Sequence, residues 1–214
     1  MIMSDHNAAL AGNGDTIGGG GGDLDRAVDL LFLSARTPAG FSDRPVPVEV
    51  LHRLWELVRL APTAFNGSPL RVLFVTTPEA RERLLPALSK GNVDKTRKAP
   101  VKAVLGTDTG FLEHLPRLFP QADVPALFAG NPTAAETTGL RNATLQAGYF
   151  ILAARLLGLA PGPMSGFDAR LVDAAFFPDG RIRANILVNL GYTDGGAPRP
   201  RNPRLAFEEA CRIV

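Results

Sequence analysis

The chain carries one cysteine in 214 residues, Cys211, so no intramolecular disulfide and no thiolate metal cluster can form. Its three histidines, His6, His52 and His114, lack the i, i+4 spacing that puts two imidazoles on one helix face, and no metal site is expected. Also missing are the Gly-x-Ser-x-Gly elbow, the phosphate loop Gly-x-x-x-x-Gly-Lys-Ser/Thr, and any strand followed by Gly-x-Gly-x-x-Gly. An enzyme without these signatures borrows its reactivity from a cofactor, so the places to look are the polar and glycine-rich loops at element ends.

Long uninterrupted hydrophobic runs are lacking too. The longest apolar stretch, Ala143 to Ala160, is broken by Gln146 and Arg155 and reads as a buried central helix, not a membrane span. Residues 1–23, with five glycines from Gly18 to Gly22, have no apolar core of a secretory signal and are expected to form a flexible tail ahead of one domain over 24–214. With 45% hydrophobic and 21% charged residues the composition is that of a soluble globular protein, for which the cytoplasm is the default location.

A net charge of only +2 hides a local excess: Arg199, Arg201 and Arg204 fall within six residues. No Lys/Arg stripe interleaved with aromatics accompanies them, which points to a local anion site and away from a nucleic-acid partner. A merely solvated basic tail is the competing reading.

Apolar periodicity predicts helices over 24–35 (Leu24, Val28, Leu31, Phe32), 47–60 (Val50, Leu51, Leu54, Leu57, Val58), 79–88, 111–119, 133–159 and 168–176. Trp55 falls off the stripe of its helix, which places it at an interface or in partial exposure. Runs rich in β-branched residues predict strands over 70–76, 101–106 and 182–192. Strands separated by helices indicate an α/β or α+β core.

Four loops then stand out. Ser34 to Phe41 places Arg36 and Thr37 side by side, a pair able to grip a phosphate or a carbonyl-rich heterocycle, although Arg36 also reads as an ordinary helix C-terminal cation. Ala61 to Pro69 offers Asn66, with donors and acceptors for an imide-like ring edge, and Ser68, although Asn66-Gly67 is also a simple turn signal. Leu159 to Asp168 holds Pro163, Met164, Ser165 and Gly166, where glycines let a flat group approach the backbone, or form only a hinge. Arg199 to Arg204 alternates arginine with proline, so that two cations can converge on one phosphate.

The order and spacing of these loops resemble the nitroreductase family across nearly all of residues 24–214. The resemblance rests on Ala35-Arg36-Thr37, Gly91-Asn92 with Lys95-Thr96, Gly162 to Asp168, and Leu205 to Cys211. It implies an α+β nitroreductase-like fold, a mainly antiparallel four- or five-stranded sheet flanked by helices, with FMN held at a homodimer interface and NAD(P)H as reductant. By resemblance Arg36 and Thr37 would reach the FMN, and Asn66 and Ser68 would come from the second subunit. Pro163, Met164, Ser165 and Gly166 would lie over the flavin, and Arg199 and Arg201 would take the phosphate. Hydride would pass through flavin N5 in a ping-pong cycle, with no catalytic side chain. Within the family the similarity is greatest to a branch that reduces malonic semialdehyde to 3-hydroxypropanoate in pyrimidine degradation. A broad nitroaromatic or quinone reductase and a non-catalytic flavin-binding protein are the alternatives. Two departures from the family pattern are Ala35, where an arginine is usual, and Ala39, where a basic residue is common.

Overall fold

The computed structural model describes residues 21–214. Among these, the residues up to Ala35 and those from Arg36 onward fall in two units. In the first, helix α1 (Gly21–Val28) runs into a π-helical turn, Asp29–Leu33, closed by the Ser34 amide and hydroxyl, each 2.9 Å from the Asp29 carbonyl. The helix thus starts three residues before Leu24, and the rest of the expected tail lies outside the described residues.

In the second unit four strands form one antiparallel sheet in the order β1-β2-β4-β3: β1 (Leu70–Val75), β2 (Val101–Asp108), β3 (Gly162–Met164) and β4 (Ile182–Leu190). Helix α2 (Val48–Val58) and the 25-residue α7 (Pro132–Leu156) lie on one face. Leu51, Leu54, Val58, Ala147 and Phe150 pack there on Leu70, Ala103, Leu105 and Val188. The other face is covered from α3 (Pro78–Leu84), a 3-10 turn at Leu85–Ala87, and α8 (Ala169–Phe176), whose Leu84, Leu85 and Val172 pack on Val75, Val104 and Leu187. Burial on both faces explains why every residue of β2 is buried, although antiparallel strands often alternate between core and water. Trp55 is half-buried against the first of these clusters.

Local chemistry fixes the element ends. Thr77 caps α3 through its hydroxyl, which accepts from the Ala80 amide at 3.2 Å, with Pro78 at the first helical position. Asn131 does the same for α7, its Oδ1 accepting from Ala134 N at 3.0 Å, and Gly158, at φ +76°, follows the helix's last turn. Pro86 ends the expected helix over 79–88 early, converting its last turn to 3-10 geometry.

Several elements differ from expectation, among them the short helices Val124–Leu127 and Phe207–Ala210, which no predicted segment covered, and two that bear on the site. The segment Gly162–Met164, read as loop, is strand β3; three residues are too few to show a period, and Pro163, lacking an N–H, suits an edge strand. Helix α4 (Lys90–Lys98) was not anticipated because only Thr96 of its nine residues is buried, so no apolar stripe announces it. Short helices α5 (Leu115–Leu118), α6 (Val124–Leu127) and α9 (Phe207–Ala210) complete the unit. No described helix is long and apolar enough to cross a membrane. The expected α+β architecture, an antiparallel sheet flanked by helices, is the one observed.

Candidate functional site

Three of the four candidate loops gather at the β3 edge of the sheet. Phe41, five residues after Arg36, pairs with Thr193 just beyond β4, and the Ser42 amide donates to the Tyr192 carbonyl at 2.9 Å. The ring of Phe41 then fills the space beside two glycines: a Cβ on Gly191 would lie 2.9 Å from its Cδ1, and one on Gly162 would lie 3.8 Å from its Cζ. Glycine at 191 is therefore a packing requirement of this junction. The chain that leaves Thr193 continues as the exposed, irregular segment holding Arg199 and Arg201.

β3 carries the third loop. Beyond it, the Gly166 carbonyl accepts two bonds, from Asn92 Nδ2 at 2.8 Å and the Ser89 amide at 3.0 Å, which tie the turn to the start of α4. A Cβ on Gly166 would stand 2.7 Å from Asn92 Nδ2, so a side chain there would displace Asn92 from its bond to the turn. Asp168 then caps α8, its Oδ1 accepting from the Arg170 amide at 2.9 Å. Ser165 is exposed and Pro163 half-buried, but the side chain of Met164 points away, receiving the Thr96 hydroxyl on its sulfur at 3.7 Å. Of Met164 only the backbone is available to a ligand. Arg36 is half-buried and Thr37 exposed on the way to Phe41.

Arg201 lies close enough to Arg155, in the last turn of α7, to act on its titration. Burial and then the charge of Arg201 hold the Arg155 guanidinium below its ordinary value. Two like charges are thus brought near one another from different segments of the chain. Arg155 first stood out only as an interruption of an apolar run, and nothing in its sequence neighbourhood signalled this pairing.

The loop of Asn66 and Ser68 lies elsewhere, at the β1 edge. Three strand spacings separate that edge from β3, about 14 Å, so one protomer does not bring Asn66 and Ser68 to the Pro163–Gly166 turn. The loop is strained: Phe65 and Asn66 both have φ +53° and Ser68 has φ +41°, a region costly for non-glycine residues. Helix α7 holds it in place. Asn142 Oδ1 accepts from the Ala64 amide at 2.8 Å, while Gln146 accepts from the Leu70 amide at 3.0 Å and donates to Ser68 Oγ at 3.2 Å. Asn66 Nδ2 donates to the Leu118 carbonyl at 2.9 Å, and Phe65 packs edge-to-face on Phe119 and Phe128. Asn142 and Gln146 were missed as the supports of this loop; they are amides among the otherwise small and apolar buried residues of α7, recurring four positions apart on one helix face.

Near the same end of the sheet Asp108 is almost fully buried between Arg71 (2.5 Å), Arg181 (2.6 Å) and His114 (3.3 Å). Burial alone pushes its carboxyl up, but the Arg181 hydrogen bond, the Arg71 charge and the Gly110 amide outweigh it and hold the group below the ordinary carboxylate range. The cluster is structural: it staples the starts of β1 and β4 to the end of β2.

The nitroreductase family model matches residues 34–192. A Burkholderia lata protein named as a candidate NADH dehydrogenase/NAD(P)H nitroreductase is 56% identical over 189 residues, spanning 88% of this chain and 97% of the relative. One from Polynucleobacter asymbioticus with the same name is 50% identical over 190 residues, 89% and 97% of the two chains. Among solved structures, a candidate nitroreductase of Bacillus subtilis superposes with a TM-score of 0.77 at 21% identity, over 90% of this chain and 99% of that one. Another from Exiguobacterium sibiricum, solved in complex with FMN, superposes with a TM-score of 0.71 at 20% identity, over 82% and 92%. The matched span takes in the Arg36 loop, the strained Asn66 loop, the α4 contact with Gly166 and the β3 turn, and the chain belongs to the nitroreductase family.

Proposed function

We propose that the chain is an FMN-dependent NAD(P)H oxidoreductase, acting in the cytoplasm as a homodimer, and that it reduces malonic semialdehyde to 3-hydroxypropanoate. The observation that carries the FMN reading is the β3 turn. Its backbone is pinned by the Asn92 bond to the Gly166 carbonyl, and the segments that carry Arg36 and Arg201 lead from the same sheet edge. A flat ring laid on backbone amides, with its phosphate among arginines, fits these groups. The FMN-bound Exiguobacterium structure with the same fold supports that fit. FMN supplies hydride transfer at N5 between NAD(P)H and the second substrate.

The residues of the chain then have separable tasks. Arg199 and Arg201, with Arg155 beside them, hold the phosphate. Arg36 and Thr37 serve the polar part of the cofactor, where a cation steadies negative charge at the N1/O2 edge of the ring. Pro163, Ser165 and Gly166, with the Met164 backbone, form the surface over the ring and exclude water from it.

A second copy is what the sheet order asks for, because Asn66 and Ser68 stand at the opposite edge from the turn they are expected to serve. Helix α7 offers a surface for it: Leu145, Tyr149 and Leu156 are 41%, 43% and 54% exposed, and with Leu152 between them they line one face at helical spacing. The aldehyde substrate is supported by the runs Gly162 to Asp168 and Leu205 to Cys211. The names of the relatives favour a second reading, reduction of nitroaromatics or quinones.

The visible spectrum of the purified protein tests the cofactor, and anaerobic bleaching by NAD(P)H tests the activity. Faster NAD(P)H turnover with malonic semialdehyde than with nitroaromatics or quinones is the expected ranking; the reverse selects the second reading. Arg201→Ala is expected to lose FMN on dialysis, and a variant that stays yellow at full stoichiometry removes that residue from the phosphate site.

A further inference from the structure

Arg71, the second residue of β1, reaches in two directions. One arm of its guanidinium meets Asp108 Oδ2 at 2.5 Å, at the end of β2. The other donates from Nη1 to the Leu70 carbonyl at 2.9 Å and to the Ser68 carbonyl at 3.0 Å. Asp108 is a firm anchor for this fork. It is 2% exposed, and its second oxygen accepts from Arg181 Nε at 2.6 Å and from the Gly110 amide at 2.9 Å.

Ser68 lies outside the strand, in the loop that carries Asn66, with a φ of +41°. Pro69 follows it, and a residue before proline is pressed toward extended backbone, so this conformation persists only where neighbours hold it. Three side chains do so, one on each polar group of Ser68. Thr63 Oγ1 accepts from its amide at 3.0 Å, Gln146 Nε2 donates to its hydroxyl at 3.2 Å, and Arg71 donates to its carbonyl. Among the three, Arg71 alone belongs to the sheet. β1 is paired with β2 through its own backbone from Leu70 to Val75, so the strand does not depend on the Ser68 contact. The task suits arginine, whose planar fork meets a carboxylate on one side and carbonyls on the other, and not the point charge of lysine.

We propose that Arg71 is a positioning residue: held by Asp108, it sets the Ser68 carbonyl and with it the Asn66–Ser68 loop that one protomer lends to the flavin of its partner. This rests on the reading that FMN lies between two copies of the chain, with Asn66 and Ser68 on one and Arg201 on the other. Asp108 then does more than staple strands, because it orients the fork. Arg181 shares the carboxylate but has no bond to the loop, its remaining donors going to Glu113 and to the Gly110 carbonyl.

Arg181 is therefore the control. In a titration of apoprotein with FMN, followed by quenching of flavin fluorescence, Arg71→Gln should bind about tenfold more weakly than wild type, the worth of one charge-assisted contact. Arg181→Gln should stay within about twofold of wild type even where its thermal midpoint falls as far. Arg71→Lys keeps the charge facing Asp108 and loses the fork, so it reads the loop even where Arg71→Gln fails to fold, and it too should bind FMN more weakly. Wild-type affinity in Arg71→Lys, or a loss in Arg181→Gln equal to that in Arg71→Gln, overturns the proposal.

Hybrid dimers locate the effect. Arg71→Gln and Arg201→Ala chains, co-expressed under different tags and purified through both, form one site with the two defects and one with neither. Such a hybrid should bind one FMN per dimer at wild-type affinity, although neither parent does. A hybrid of Asn66→Ala with Arg201→Ala, run beside it, reads the shared site alone. If only the Arg71 hybrid lacks a wild-type site, the substitution damages its own protomer as a whole and the role of Arg71 falls. If both hybrids lack one, or wild-type protein takes up no FMN, the shared site falls and the role of Arg71 falls with it.

Discussion

Gln146 Nε2 donates to Ser68 Oγ at 3.2 Å, which couples the middle of the long helix α7 to the strained loop at the β1 edge. The other end of the same amide accepts from the Leu70 N–H at 3.0 Å, and Gln146 is fully buried. Gln146→Leu keeps the volume and removes both bonds, leaving a buried backbone N–H without an acceptor at a cost of about 2 kcal/mol. Urea denaturation should show that loss. If Ser68 serves the cofactor, FMN affinity should fall by more in Gln146→Leu than in an equally destabilised core variant such as Val172→Ala, which lies on the other face of the sheet. Equal flavin affinities in the two would separate Gln146 from the site.

Asp108 gives a stability loss with a defined pH direction. Its carboxyl titrates below the ordinary range in the fold, so the native state holds fewer protons than the unfolded chain as pH falls through the carboxylate region. Its contribution is complete above the ordinary carboxylate pKa, about 4, and drains away below it. Asp108→Asn should therefore destabilise the protein at pH 7 by about 2 kcal/mol, less than a fully buried pair because both arginines are about one-third exposed. The gap between variant and wild type should close on acidification toward pH 3, as followed by far-UV circular dichroism in urea. A gap that does not change with pH would mean that geometry, not charge, is what Asp108 supplies.

The fold class and the three long strands were legible because their residues repeat: β-branched runs at 70–75, 101–108 and 182–190, and apolar stripes on α2 and α7. β3 and α4 were not legible, for opposite reasons. β3 is too short to show a period, and α4 is too polar to show a stripe. Both are defined by tertiary contacts, β3 by pairing with Leu187–Asn189 and α4 by Asn92 and Thr96 reaching across to Gly166 and Asn189. The loops of the candidate site could be picked out from glycine, proline and arginine, but their grouping could not. Phe41 against Gly162 and Gly191, and Arg201 near Arg155, join residues more than 40 positions apart, for which one sequence carries no signal.

Lys102 is 3% exposed on β2, its ammonium donating to the Ala99 carbonyl. Burial first, and then the charge of Arg81, bring its pKa from 10.5 down to about 8, partly offset by Glu82. The unfolded chain keeps that proton up to 10.5 while the fold releases it near 8, so raising the pH between these values stabilises the native state. Below 8 the fold carries the whole penalty. Lys102→Met should then be more stable than wild type at pH 7, by about 2 kcal/mol, with the advantage shrinking as pH rises toward 10. Chemical denaturation at pH 7, 8.5 and 9.5 checks this, and a methionine variant less stable than wild type at pH 7 would mean that the Ala99 contact outweighs desolvation.

Gly166→Ala separates the backbone surface of the proposed cofactor site from the fold that carries it. The added methyl would stand 2.7 Å from Asn92 Nδ2, the end of a side chain able to swing away, and the φ of Gly166 is not in the left-handed region. Relief therefore costs little more than the Asn92 bond to the Gly166 carbonyl, about 1 kcal/mol. With Asn92 displaced, the turn over which the ring is proposed to lie would no longer be fixed. FMN affinity should fall by about a hundredfold or more while the thermal midpoint drops by only a few degrees. Asn92→Ala alone removes the same bond without adding the methyl, and should lower FMN affinity to a similar extent if loss of Asn92 is the cause. If it leaves FMN affinity at the wild-type level, the methyl itself disturbs the ring. If Gly166→Ala alone binds FMN as wild type does, the β3 turn does not face the flavin.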